Sequence, residues 1–246
     1  MTTLKNKVAI VTGSSKGIGA EIAILLAESG AKTVINYAND DAAANEVVNK
    51  IKAAGGEAIA IQADVSDTQQ VKAMFDTTIN AFGKPDILVN NAGIIICKPI
   101  AETTDDDFDR IFDINVKGTF NTLREAANKL NDGGRIVNLS STTTRMMLPT
   151  YGTYCATKGA VEQLTRIFAK EVGVRKITVN AVSPGPTDTE LFHQGKTDDT
   201  VEKLASASAF NRIGEPADIA RVVLFLVSEE AAWITGQNIG ANGGVA

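Results

Sequence analysis

Short apolar runs rich in Val and Ile recur along the chain at 8–11, 33–35, 58–61, 87–89, 135–139 and 177–182, with a last one near 237–240. Between them, apolar residues fall at helical spacing over 18–28, 41–54, 68–82, 105–130, 152–172 and 216–227. Gly55-Gly56 stops the second of these helices, and Pro216 sits in the first turn of the last. Strands that are apolar throughout and separated by helices predict a parallel sheet covered on both faces. The pattern predicts an α/β fold, one doubly wound domain over 1–246 with about seven strands. Only 187–212 departs from this rhythm: it is polar, holds Gly195 and an acidic cluster, and reads as a mobile lid.

Composition narrows the class without naming it. A chain of 246 residues can bury roughly three quarters of its unfolded surface, so it needs no covalent staples. The net charge of −5 is spread over interspersed acids and bases, so neither nucleic acid nor an anionic membrane is expected as a partner. Segment 1–7 lacks the regions of a signal peptide, and no apolar run approaches the roughly 20 residues that span a bilayer. A cytoplasmic location is the expectation. Cys97 and Cys155 make neither a disulfide framework nor a zinc cluster, and His193 stands alone, so no metal is expected.

The first strand runs into Thr12-Gly13-Ser14-Ser15-Lys16-Gly17-Ile18-Gly19, which opens the first helix. That is the place where a doubly wound (Rossmann) sheet binds a dinucleotide. Gly13 permits the tight turn, Gly17 lets backbone approach a pyrophosphate, and Gly19 allows close helix–strand packing. The helix N-terminus adds unpaired N–H groups and positive potential. The spacing differs from G-x-G-x-x-G, since three residues separate the first two glycines. The same stretch also matches G-x-S-x-G, which would make Ser15 a hydrolase nucleophile. Only one strand precedes this elbow, and His193 lies in the least regular segment, so the hydrolase reading is disfavoured. Strand two ends Asn36-Tyr37-Ala38-Asn39 with no carboxylate before Asp40. The absence leaves room for the 2′-phosphate of NADP, with Lys16 as its countercharge or else as a solvated lysine. Asp40 and Asp41 are expected to cap the next helix.

Tyr154 and Lys158 are four residues apart on a predicted helix and share a face. Ser141 ends the strand before that helix, Asn115 lies in the helical region before it, and Asn90-Asn91-Ala92-Gly93 follows strand four. With these residues in order, the chain resembles the short-chain dehydrogenase/reductase family over essentially its full length. The matching elements are T-G-x-x-x-G-I-G at 12–19, Asp64 after strand three, N-N-A-G at 90–93, Asn115, Ser141, Tyr154/Lys158, and P-G-x-x-x-T at 184–189.

The resemblance implies NADP(H) as cofactor and a ketone reduced to a secondary alcohol. Tyr154 would be the proton donor, Lys158⁺ would lower its pKa and contact the nicotinamide ribose, and Ser141 would bind the substrate oxygen. Asn115 would hold a water linking Lys158 to solvent, or else be a satisfied polar residue in a helix kink. Ser14, Ile18, Asp64 and Val65 would line the adenosine side and Asn90 would lie near the ribose. Asn91, Ala92, Gly93, Pro184, Gly185, Thr187 and Thr189 would complete the cofactor groove.

Among relatives the pattern is nearest to 3-oxoacyl-carrier-protein reductases and related carbonyl reductases. Arg175 matches one basic residue that meets an acyl carrier protein, but Asp132 reverses the charge at the other. A small-molecule ketone is therefore expected ahead of acyl carrier protein, and a non-catalytic NADP sensor is the remoter alternative. The family also implies a homotetramer, with 241–246 at an interface or frayed.

Overall fold

The computed structural model describes residues 3–246. The chain begins β1 (Val8–Val11), α1 (Gly17–Glu28), β2 (Lys32–Tyr37), α2 (Asp41–Ala53), β3 (Ala58–Gln62) and α3 (Thr68–Phe82). It continues β4 (Ile87–Asn90), α4 (Asp105–Phe112), α5 (Gly118–Lys129), β5 (Arg135–Leu139) and α6 (Gly152–Glu171). It closes with β6 (Thr178–Pro184), α7 (Glu190–His193), α8 (Asp198–Ser206), α9 (Pro216–Leu226) and β7 (Asn238–Ala241). Asp40, Asp67 and Thr104 each accept backbone N–H groups at the starts of α2, α3 and α4, which fixes those helices where the sequence places them.

The strands form one sheet in the order β3-β2-β1-β4-β5-β6-β7, and every neighbouring pair is parallel. Alternate strand residues feed two cores. Ala9, Val11, Ile35 and Val89 pack against α1, α2 and α9, whereas Ile10, Val34, Leu88 and Ile136 pack against α3, α5 and α6. Strand order reverses direction between β1 and β4, which opens a crevice at their carboxyl ends.

The stretch 105–130 is helical as expected, but a wide turn at Asp113–Lys117, hydrogen-bonded i to i+5, interrupts the regular geometry between α4 and α5 and carries Asn115. One expectation needs correction. The stretch 187–212 is not irregular, since it contains α7 and α8, each begun by a threonine cap, Thr189 and Thr197. Helices this short show too few apolar repeats to register as a periodicity. The segment is pinned at both ends: Asp188 N–H donates to Gly214 O and Gly214 N–H to Pro186 O, each at 2.8 Å. Among the described residues, no helix is long and apolar enough to cross a membrane.

Phe75 on α3 is wholly buried in the second core. Phe75→Ala is expected to lower unfolding stability by about 3–5 kcal/mol, because the vacated volume cannot collapse between helix and sheet. Chemical denaturation checks this; a loss below about 1 kcal/mol would contradict the packing described.

Candidate active site

Beyond Val11 the chain turns at Gly13 (φ +60°), where a Cβ would stand 2.8 Å from Ala92 Cα. At Gly19 a Cβ would stand 2.5 Å from Gly13 O, so α1 can start this close to the turn only with glycine. Unlike α2, α3 and α4, helix α1 has no side-chain cap. Its first N–H groups have no side-chain partner among the described residues, and Ile18 of that first turn lines the cleft; such a helix start can receive a phosphate.

Several residues expected to touch a cofactor instead build the turn. Ser14 is fully buried, donating to Val11 O at 2.7 Å and accepting from Asn36 N–H at 3.1 Å. Asn36 is also buried: its Oδ1 accepts from Gly13 N–H at 3.1 Å and its Nδ2 donates to Ile61 O and Ala63 O. Neither side chain is free to meet a ribose. Asn90 is likewise turned inward, donating to Asn138 and accepting from Thr122, so it does not reach the groove. Asn91 Nδ2 donates to Thr12 O and Gly13 O, while Thr12 Oγ1 accepts from Asn91 N–H and Ala92 N–H.

On the adenosine side, Tyr37 donates to Asp41 at 2.7 Å, so a carboxylate lies nearer this corner than the sequence suggested. Asp40 alone caps α2. Asp64 accepts from Ser66 N–H and Oγ, and Val65 is buried against Gly118. Lys16 is exposed and pairs with Glu190 of α7 at 3.2 Å. Ser15 is partly exposed at the mouth of the turn, and Gly17 lies against Thr189.

A cleft runs from Ile18 past Asn91 and Gly93 to Ser141, Tyr154 and Lys158, with Pro184, Gly185, Thr187 and Thr189 along its far rim. Ser141 follows β5; Tyr154 and Lys158 project from the first two turns of α6. Lys158 Nζ donates to Leu139 O at 2.8 Å and lies 5.7 Å from the centre of the Tyr154 ring. Burial pushes the Tyr154 phenol up to about 12, with the Ser141 hydroxyl pulling the other way. Burial also pushes the Lys158 ammonium down to about 8. The expected lowering of the phenol by Lys158 is not seen: burial sets the direction, and Ser141 is the group that opposes it.

Asn115 is buried, and its side chain is committed: Nδ2 donates to Ile94 O and Thr157 Oγ1, and Oδ1 accepts from Ile94 N–H at 2.8 Å. It clamps the loop after β4 to α6. The opposite wall, formed by Ile94, Ile95, Met146, Leu148, Tyr151, Leu191, Phe192, Lys196 and Leu204, is not foreseen from the sequence. Only the run Ile94-Ile95-Ile96, apolar yet outside any strand, hinted at it.

The family model described as enoyl-(acyl carrier protein) reductase matches residues 13–246. An NADPH-dependent aldehyde reductase-like protein of Arabidopsis thaliana is 48% identical, with 98% of this chain and 94% of the relative covered. A dehydrogenase/reductase from Sinorhizobium meliloti superposes with a TM-score of 0.95 at 39% identity, covering 99% of this chain and 96% of its own. An angucycline C-6 ketoreductase with bound NADP superposes with a TM-score of 0.93 at 40% identity, covering 99% and 97%. The chain belongs to the short-chain dehydrogenase/reductase family.

Proposed function

We propose that this oxidoreductase is a cytoplasmic NADPH-dependent carbonyl reductase, one dinucleotide-binding domain over 1–246 with 187–212 as its substrate lid. The observation that carries the reading is the convergence of Ser141, Tyr154 and Lys158 in one cleft continuous with the uncapped N-terminus of α1. The backbone N–H groups of Gly17, Ile18 and Gly19 would hold the pyrophosphate, with Ser15 beside them. Ala92, Gly93, Pro184, Gly185, Thr187 and Thr189 would flank the nicotinamide end. Lys16 would exchange Glu190 for the 2′-phosphate. The relative solved with NADP bound, and the one named as NADPH-dependent, support that cofactor.

When bound, the nicotinamide supplies a hydride to the carbonyl carbon. Tyr154 gives its phenolic proton to the carbonyl oxygen, and the Ser141 hydroxyl donates a hydrogen bond to that oxygen as charge develops. Lys158, below its ordinary pKa yet still protonated at neutrality, stabilises the phenolate left behind. Asn115 acts as a positioning residue through Ile94 and Thr157. The convergence of the three side chains favours turnover over a cofactor sensor.

A small ketone suits the site better than acyl carrier protein. Arg175 is paired with Asp132 at 2.7 Å and also donates to Ala127 O and Leu130 O, so its charge is spent within the chain. In the homotetramer that the family implies, the exposed side chains of Phe108, Phe120, Ile167, Phe225 and Trp233 would be available for subunit contacts.

Purified protein is expected to oxidise NADPH, and not NADH, in the presence of aryl ketones or acetoacetyl esters. Tyr154→Phe should lower kcat by roughly 10²–10⁴-fold while NADPH binding, read by fluorescence, persists. Near-normal turnover of that variant would overturn the mechanism. Lys16→Ala should raise KM for NADPH about tenfold, as for a lost ion pair of about 1.4 kcal/mol. An unchanged KM would remove Lys16 from the phosphate site.

Lys158 also makes a stability prediction. Its folded pKa of about 8 lies below the 10.5 of the free side chain, so between these values the unfolded chain binds more protons. Stability therefore rises with pH across that window, and the cost of burying the charge is present in full below it. Lys158→Met removes this cost but leaves Leu139 O without its donor. Without added cofactor, the variant should be more stable than wild type by about 1–2 kcal/mol at neutral pH, the gap closing as pH rises toward 10.5. A gap independent of pH would contradict the burial of a charged lysine.

A further inference from the structure

The wall of the cleft facing Tyr154 is apolar, formed by Ile94, Ile95, Met146, Leu148, Leu191 and Leu204. Among the described residues, two charged side chains line the cleft, and both are cations: Lys158, and Lys196 from the turn between α7 and α8. Lys196 is half-buried. Its Nζ donates to Phe192 O at 2.6 Å and lies 4.8 Å from the centre of the Phe192 ring. No carboxylate lies within ion-pair distance of it among the described residues.

The nearby acids are engaged elsewhere. Glu190 pairs with Lys16, and Asp188 pairs with His193 at 2.7 Å. Asp198 and Asp199 sit in the first turn of α8, where the positive end of the helix stabilises them. The Lys196 charge reaches the loop after β4: burial raises the Cys97 thiol, and the Tyr151 hydroxyl and then Lys196 pull it back down. An ammonium has three donors, and Phe192 O takes one. The others have no protein acceptor among the described residues and stand beside an apolar wall. A bound ligand carrying an anionic oxygen would supply the missing acceptor and countercharge.

We infer that Lys196 is a specificity-determining residue, and that the preferred substrate is an apolar carbonyl compound bearing an anionic oxygen, a carboxylate or an ionised phenol, remote from the carbonyl that is reduced. This rests on the carbonyl reductase reading for the reaction, and on the cleft alone for the anion. Lys196 holds the far end of the substrate and takes no part in proton transfer. Its effect therefore falls on KM more than on kcat.

The test compares para-acetylbenzoate with its methyl ester, which share one ketone and differ in charge. The acid-to-ester ratio of kcat/KM should fall about tenfold in Lys196→Met and further in Lys196→Glu, carried mainly by the KM of the acid. A ratio equal in wild type and Lys196→Met would overturn the proposal. If wild type reduces neither ketone, the activity reading fails, and binding decides the anion site by itself. Calorimetry with NADPH present would then compare para-tert-butylbenzoate with the corresponding neutral amide. A Kd for the benzoate that rises about tenfold in Lys196→Met, with no matching change for the amide, supports the site. Equal changes for the two overturn it.

Discussion

Past Val11 and Asn90 the chain leaves the sheet to opposite sides, and the gap between those two exits is held at one width by Thr12 and Asn91. Thr12 Oγ1 accepts two backbone N–H groups from the loop after β4, and Asn91 Nδ2 returns two hydrogen bonds to the glycine turn. Each buried donor and acceptor there costs about 1–3 kcal/mol if its partner is lost, so the crevice has little freedom to widen. Gly13 and Gly19 make the same point sterically, since neither position admits a Cβ. Everything that follows depends on that fixed gap: the open N-terminus of α1, the line of the cleft, and the approach of α6 to its floor.

Within this frame the site works against stability. Lys158 is held with only Leu139 O as its fixed acceptor, and the Tyr154 phenol is stripped of water, so burial opposes both charged forms. In the proposed reaction the two would serve the same event, because a phenolate formed by proton transfer would meet an ammonium that no carboxylate pairs among the described residues. The polar residues behind the site are spent on geometry. Asn115 ties the loop after β4 to α6, and Glu162 accepts from Ser140 and Thr144 on the strand-end loop that carries Ser141.

The sheet was legible because its strands are apolar throughout and its helices carry local signals, Asp40 and Pro216 at starts and Gly55-Gly56 at a stop. The motif residues were legible through order and spacing. Less so was the division of labour among polar residues: Ser14 and Asn90 lie in motifs and Asn36 ends strand two, yet their side chains are buried in hydrogen bonds to distant segments, and nothing local marks this. The wide turn at Asp113–Lys117 follows from packing of Asn115 against Ile94 and Thr157, both far away in sequence. The apolar wall was hidden because it gathers residues from the loop after β4, the loop after β5 and the two short lid helices.

If one cleft brings a hydride donor and the Tyr154 proton to the same carbonyl, a label on the cofactor must appear in the alcohol. The most direct measurement supplies NADPH carrying deuterium at the transferring position of nicotinamide C4, with an aryl ketone, and examines the alcohol by mass spectrometry. One deuterium at the carbinol carbon and a hydroxyl proton drawn from solvent are expected. An alcohol without deuterium, or oxidation of the cofactor with no alcohol formed, would contradict that arrangement.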